Sequence, residues 1–129
     1  MRLLLDTHIL LWSLIDPNRL PIAARDALAA PENAVFFSAA SIWEIAIKRA
    51  LNRPDFAVEP ELTRGAALDT GFQELSVNGL HATRTRSLPH LHRDPFDRIL
   101  IAQAQTEPLV LMTEDPQIAR YDVGLWTLW

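Results

Sequence analysis

Four acidic residues, Asp6, Glu44, Asp97 and Asp115, occur where the pattern of the chain can bring carboxylates together. Converging oxygen donors of this hard type are ordinary ligands of magnesium or manganese. Asp6 follows Leu3-Leu4-Leu5, and Glu44 interrupts the apolar stretch Ile42-Trp43-Glu44-Ile45-Ala46-Ile47. Asp97 comes just after Asp94-Pro95-Phe96, and Asp115 just after the apolar run Leu109 to Thr113. Two like charges about 4 Å apart repel by roughly 4 kcal/mol at an effective dielectric of 20, a large share of a domain stability of about 5 to 15 kcal/mol. A cation relieves that repulsion; protonating one acid, with its pKa raised, is the other remedy. A sparse ligand shell that keeps waters suits phosphodiester hydrolysis.

Each acid alone also has a structural reading. Asp94-Pro95-Phe96-Asp97 is a good helix start, with Asp94 as N-cap, Pro95 at the first position and Asp97 favoured by the helix dipole. Asp115-Pro116 and Asp16-Pro17 repeat that grammar, and Asp16 is read as a cap only. Asp6 can cap the next helix. For Glu44 the alternative is a pair with Lys48 at i+4, worth only a few tenths of a kcal/mol, a small return for a carboxylate in so apolar a helix. Ser41, Glu44 and Lys48 share one helical face, so Lys48 has two open roles, tuning the acid or meeting a substrate phosphate. The argument for chemistry rests on the set.

The elements that must position these acids alternate in type. The pattern predicts strands over Arg2 to Thr7, Ala34 to Ala39, Phe72 to Val77 (an edge strand), Leu109 to Thr113 and Leu125 to Trp129. Helices are predicted over Ile9 to Ile15, Pro21 to Ala30, Ser41 to Leu51, Pro60 to Thr70 ending at Gly71, Asn78 to Ser87, Pro95 to Thr106 and Pro116 to Tyr121. Continuous apolar strands alternating with helices imply an α/β fold, a three-layer α/β/α sandwich around a mostly parallel sheet of four or five strands. In such folds ligands bind beyond the carboxyl ends of the strands, the edge to which all four acids belong if the strands are parallel.

At 129 residues the chain suits a single domain over 1–129, and 49% hydrophobic with 22% charged residues is a globular composition. The absence of cysteine removes disulfides, thiol nucleophiles and cysteine zinc sites and makes a cytoplasmic home the expectation. Asp6 and His8 within the first apolar run argue against a signal peptide, and no apolar stretch is long enough to span a membrane. A formal net charge of -4 at first argues against nucleic acid, but carboxylates loaded with divalent cations would make the site far less negative.

Leu5-Asp6-Thr7, Ser38 to Lys48 (SAASIWEIAIK), His92 to Ala104 (HRDPFDRILIAQA) and Thr113-Glu114-Asp115 resemble, in order and spacing, the motifs of PIN-domain proteins, especially VapC-type toxins of toxin-antitoxin pairs. The resemblance runs through nearly the whole chain. It implies an α/β/α sandwich and an endoribonuclease that hydrolyses RNA with magnesium or manganese and is neutralised by a small antitoxin. By motif position Asp6, Glu44 and Asp97 take the three core acidic places and Asp115 the less constant fourth. Asp94 is the extra acid of the Asp-Pro-Phe-Asp-Arg variant, a cap with an outer role, and Thr113 matches as a hydroxyl that fixes a carboxylate or water.

Lys48, Arg98, Arg49, Arg84, Arg86 and Arg93 are candidate phosphate contacts, with solvated surface charge as the competing reading of each. His90 and His92 lie in a loop after Pro89 and are read as surface or structural residues. Trp12, Trp43, Trp126 and Trp129 are read as core or interface, and the apolar helix at Ile9 to Ile15 allows a homodimer. A dehalogenase-like phosphatase would want an acid where His8 stands, and a receiver domain wants paired acids after its first strand, where Thr7 and His8 follow Asp6. Four glycines without a phosphate loop argue against nucleotide-binding enzymes. The remaining alternative is a catalytically silent PIN-like module that binds RNA or protein.

Overall fold

Leu3, Leu4 and Leu5 have no solvent exposure, and their side chains serve two different cores. Leu3 and Leu5 pack with Ile9, Leu10, Ala24, Phe37 and Met112, whereas Leu4 packs on the other face with Leu100, Ile101, Leu111, Ile118 and Tyr121. Successive strand side chains alternate faces, so a strand covered on both sides must be apolar throughout. This is why the strand reads as an unbroken run in the sequence.

The computed structural model describes residues 1–51 and 58–128. Its elements in chain order are β1 (Arg2–Leu5), α1 (Thr7–Ile15), α2 (Ile22–Ala29), β2 (Ala34–Ser38), α3 (Ala39–Ala50), α4 (Pro60–Thr70), β3 (Gln73–Leu75), α5 (Gly79–Arg84), α6 (Pro95–Thr106), β4 (Val110–Thr113) and β5 (Leu125–Thr127). The five strands form one sheet in the order β3-β2-β1-β4-β5, and every pairing is parallel. Side chains of α1, α2 and α4 join the first core and those of α6 the second, which gives the three-layer α/β/α sandwich. Among the described residues no helix is long and apolar enough to cross a membrane.

The expected boundaries of α4 and α6 match the structure at both ends. Gly71, at φ 100°, closes α4 in the left-handed region that glycine enters without a Cβ penalty. Elsewhere local hydrogen bonds move the boundaries. Asp6 leaves the strand because its side chain caps α1, and α3 begins at Ala39 because Ser38 accepts from the backbone N–H of Ala40. Pro21 sits just before α2 and not in its first turn, and the edge strand expected over Phe72 to Val77 keeps only three residues. The helix expected over Asn78 to Ser87 is α5, opened by a capping box between Asn78 and His81, followed by a 3-10 turn at Thr85–Ser87. Pro116 to Tyr121 holds only the 3-10 turn Ile118–Arg120. Trp129, the expected end of the last strand, lies outside the described residues.

Candidate metal centre at the carboxyl edge of the sheet

From β1 the chain builds outward to β2 and β3, then crosses to β4 on the other side of β1. A reversal of that kind opens a crevice beyond the carboxyl ends of the two strands that flank it. Asp6 follows β1, and Asp115 follows β4 by two residues. Glu44 comes from the second turn of α3 and Asp97 from the first turn of α6. All four line one cavity of about 100 Å³, with Lys48 and Asp94 also in its walls.

Each carboxylate is held by groups of its own neighbourhood. Asp6, only 4% exposed, accepts from the Ile9 backbone N–H at 2.9 Å through Oδ1 and from the Thr113 hydroxyl at 2.5 Å through Oδ2. Burial raises its pKa above the usual carboxylate range, against the lowering effect of those two bonds. Glu44 accepts from the Thr7 hydroxyl at 2.7 Å on one oxygen and from Lys48 Nζ at 2.8 Å on the other. Ser41 supports this from behind, 3.0 Å from Thr7 Oγ1. Asp115 accepts from the Gln117 backbone N–H at 2.9 Å, and its own N–H donates to Thr113 Oγ1 at 3.0 Å. Thr113 therefore ties the acids of β1 and β4 together.

Asp97 carries the clearest electrostatic signature of the site. Burial first, then the charges of Asp94, Asp6 and Glu44, push its carboxyl up to about 7, while His92 pulls the other way. His92 Nε2 lies 2.9 Å from Asp97 Oδ2 and 2.9 Å from Asp115 Oδ2. The ligand atoms of these three residues fall within 4.8 Å of one another. The donor chemistry fits a hard divalent cation: four carboxylates line one cavity, and one of them is pushed toward protonation by burial first and by neighbouring acids second. Among the described residues His92, Asp97 and Asp115 are the group close enough to share an ion, and Asp6 and Glu44 line the same cavity.

The structure changes several of the expected roles. Arg98 is engaged in the protein itself: its guanidinium donates to the carbonyls of Pro89 at 2.9 Å and Thr85 at 3.0 Å and to Tyr121 Oη at 3.1 Å. Its planar fork clamps a loop, a use for which arginine geometry is well suited. Arg49 pairs with Glu59 at 2.8 Å, and Arg84 donates to Gln105 at 3.1 Å. Asp94 caps α6 by accepting from the Phe96 N–H at 2.8 Å, as its sequence context implies, and also charges the Asp97 environment. Trp12 and Trp126 pack against the first core, and Trp43 is 64% exposed. Its ring meets Phe96 edge-on, with centroids 5.2 Å apart, over a larger apolar groove of about 820 Å³ between α3, α5 and α6.

Two functional side chains escaped the sequence reading. His90 is exposed, as expected, but His92 sits between two of the acids. Its signal was the position two residues before the cap Asp94, from which its Nδ1 can accept the Asp94 backbone N–H, here at 3.2 Å. Thr7 follows Asp6 directly, and its hydroxyl reaches Glu44 because α1 starts there.

The fold has solved relatives. VapBC2 from Rickettsia felis, solved bound to a DNA fragment from its promoter, matches with a TM-score of 0.73 at 15% identity, covering 98% of this chain and 98% of that one. DNA-bound VapBC from Salmonella typhimurium matches with a TM-score of 0.68 at 15% identity over 100% of this chain and 99% of that one. FitAcB from Neisseria gonorrhoeae matches with a TM-score of 0.64 at 21% identity over 98% of each. No curated protein matches the sequence. The family model of the PIN domain matches residues 3–124, and the chain belongs to the PIN domain family.

Proposed function

We propose that this protein is a divalent-metal-dependent endoribonuclease, the toxin of a toxin-antitoxin pair, using magnesium or manganese at Asp6, Glu44, Asp97 and Asp115. The observation that carries the reading is that carboxylates from four separate stretches of chain line one cavity, and that their burial and mutual charge push Asp97 up to about 7. Such a pocket gains most by binding a cation. PIN-family membership and a fold shared with toxin-antitoxin complexes support the same reading.

A divalent ion bound there supplies Lewis acidity, activating water for attack on phosphorus and offsetting the charge that builds on the phosphate oxygens. The chain's own groups prepare the site. Thr113 and the Ile9 N–H fix both oxygens of Asp6, and Thr7 and Lys48 fix both oxygens of Glu44. Lys48 also lines the cavity, where its charge favours a phosphate. At the edge of the site the exposed ring of His8 stacks on Trp12 with centroids 6.0 Å apart and planes inclined by 20°, and the Arg19 guanidinium lies 4.3 Å over the Trp12 ring. An aromatic stack bearing a cation is the chemistry that meets bases and their phosphates in single-stranded RNA. For the antitoxin, the apolar groove under Trp43 and Phe96 offers a protein surface beside the acids Glu44 and Asp97.

The test is cleavage of structured RNA with Mg²⁺ or Mn²⁺, with chelator, and by Asp6→Asn and Asp97→Asn variants. The expected result is cutting that needs the metal and falls at least a hundredfold in both variants. Equal cutting in every sample would identify a contaminating nuclease. RNA that binds but survives in every sample would favour a silent binding module. A small antitoxin protein, to be sought in the adjoining reading frame, is expected to abolish cleavage when added.

A further inference from the structure

We propose that His92 is a displaceable stand-in for the cation: in the metal-free protein its Nε2–H donates to Asp115 with Asp97 Oδ2 beside it, and it leaves this position, without becoming a ligand, when a divalent ion binds. This inference rests on the metal-centre reading above. It concerns which donors the ion takes and what the site does before the ion arrives.

The argument begins with the imidazole tautomer. Nδ1 lies 3.2 Å from the backbone nitrogen of Asp94, which carries a proton and can only donate. Nδ1 therefore supplies a lone pair, and the ring proton belongs on Nε2. Nε2 is 2.9 Å from an oxygen of each acid, and its one N–H is hydrogen-bonded to Asp115 Oδ2. In that state Nε2 has no lone pair for a metal. To become a ligand it would have to move its proton to Nδ1, setting two N–H groups against each other at the start of α6. The loop that carries the ring is also fixed: the His92 N–H donates to Tyr121 Oη at 2.9 Å, and that hydroxyl donates to the Pro89 carbonyl at 2.9 Å.

Electrostatics leads to the same conclusion. The Nε2–H turns its positive end to Asp115 Oδ2, and Asp97 Oδ2 lies 2.9 Å from the same nitrogen, so the ring occupies a position beside both acids that a cation would also favour. It offsets the repulsion of the two acids when no ion is present, and it opposes an ion that enters. Once His92 has left, the remaining donors are all carboxylate oxygens, a set that favours magnesium and manganese. With imidazole as a ligand the set would be mixed and would shift toward zinc and nickel.

The inference is tested by calorimetric titration of Mn²⁺ and Zn²⁺ into wild-type, His92→Ala and His92→Gln proteins, with melting temperatures measured in chelator and in saturating Mn²⁺. His92→Ala is expected to lower the melting temperature in chelator but much less in Mn²⁺, and to bind Mn²⁺ as tightly as wild type or up to tenfold more tightly. His92→Gln keeps an N–H donor and is expected to recover part of the metal-free melting temperature; it carries the test if the alanine variant does not fold. Nitrogen-15 spectra of the wild-type imidazole are expected to show the Nε2–H tautomer in chelator and no metal-ligated nitrogen in saturating Mg²⁺. Weaker Mn²⁺ binding by both variants, or a ligated nitrogen signal, would make His92 a ligand and overturn the proposal. An equal loss of melting temperature with and without Mn²⁺ would reduce it to a structural residue. A wild-type protein that binds no Mn²⁺ would remove the metal-centre reading itself, an outcome separable from the others.

Discussion

Asp97 and His92 differ in how visibly the sequence declares them. Asp97 stands in a recognisable helix start and Asp6 at the cap of α1, so their places follow from local grammar. His92 lies in a loop whose path is set by Tyr121, 29 residues away, and no periodic signal encodes such a contact. The protonation of Asp97 gives this scale its prediction. Its carboxyl is raised from an ordinary 3.8 to about 7, so the folded chain holds that proton more tightly than the unfolded chain. Below about pH 4 both states are protonated and the contribution is constant. Between about pH 4 and 7 the unfolded chain sheds a proton that the folded chain keeps, so metal-free stability falls as pH rises, and above about 7 the loss is complete. The charges acting on this carboxyl are those of Asp94, His92, Asp6 and Glu44. Chelator-treated protein should lose melting temperature across this window, and Asp97→Asn should flatten the slope. Because protons and cations compete for the carboxyl, Mn²⁺ affinity should rise over the same window. A metal-free melting temperature that climbs from pH 5 to 8, with Asp97→Asn unchanged from wild type, would contradict this account.

At the scale of elements, legibility followed the strength of local signals. Helix α4 runs from Pro60 to a left-handed Gly71 and α6 from a capped Asp-Pro step, and both boundaries follow from sequence alone. The stretch Pro116 to Tyr121 also begins with an Asp-Pro step, yet it forms only a 3-10 turn. There the chain must bring Ile118 and Tyr121 into the second core and reach β5 at Leu125 within a few residues, and tertiary packing overrides the start signal. Arg98 illustrates the same limit. Its charge and its place beside Asp97 suggest a phosphate contact, but its guanidinium joins α6 to the 85–89 segment and to Tyr121. Arg98→Ala is therefore expected to destabilise the fold by about 2 to 3 kcal/mol, since several carbonyls lose a charged donor at once. The salt dependence of RNA binding should stay unchanged, because no phosphate contact is removed. Thermal denaturation and binding at several salt concentrations measure the two effects separately. A flatter salt dependence with unaltered stability would restore the phosphate role.

For the whole molecule, the fold class was legible because both faces of the sheet are covered and its strands are unbroken apolar runs, while strand order was not, since nothing local to β4 says that it returns to the side of β1. That return brings the acids beyond β1 and β4 into one pocket at the carboxyl edge of the sheet, so an ion bound there, as proposed, would couple its binding to the stability of the domain. A ligand bound only by the folded state at one hundred times its dissociation constant adds about 2.7 kcal/mol. For a chain of 129 residues this corresponds to a rise of roughly 10 °C in melting temperature. Saturating Mg²⁺ or Mn²⁺ should produce such a rise in the wild-type protein. Asp6→Asn should behave differently: removing one charge relieves the metal-free repulsion and removes a ligand, so its melting temperature in chelator should equal or exceed that of wild type and its response to metal should shrink. Calorimetric scans of the two proteins with chelator and with metal give all four values. If the variant responds to the ion as strongly as wild type, the cation is stabilising the protein from somewhere other than the end of β1.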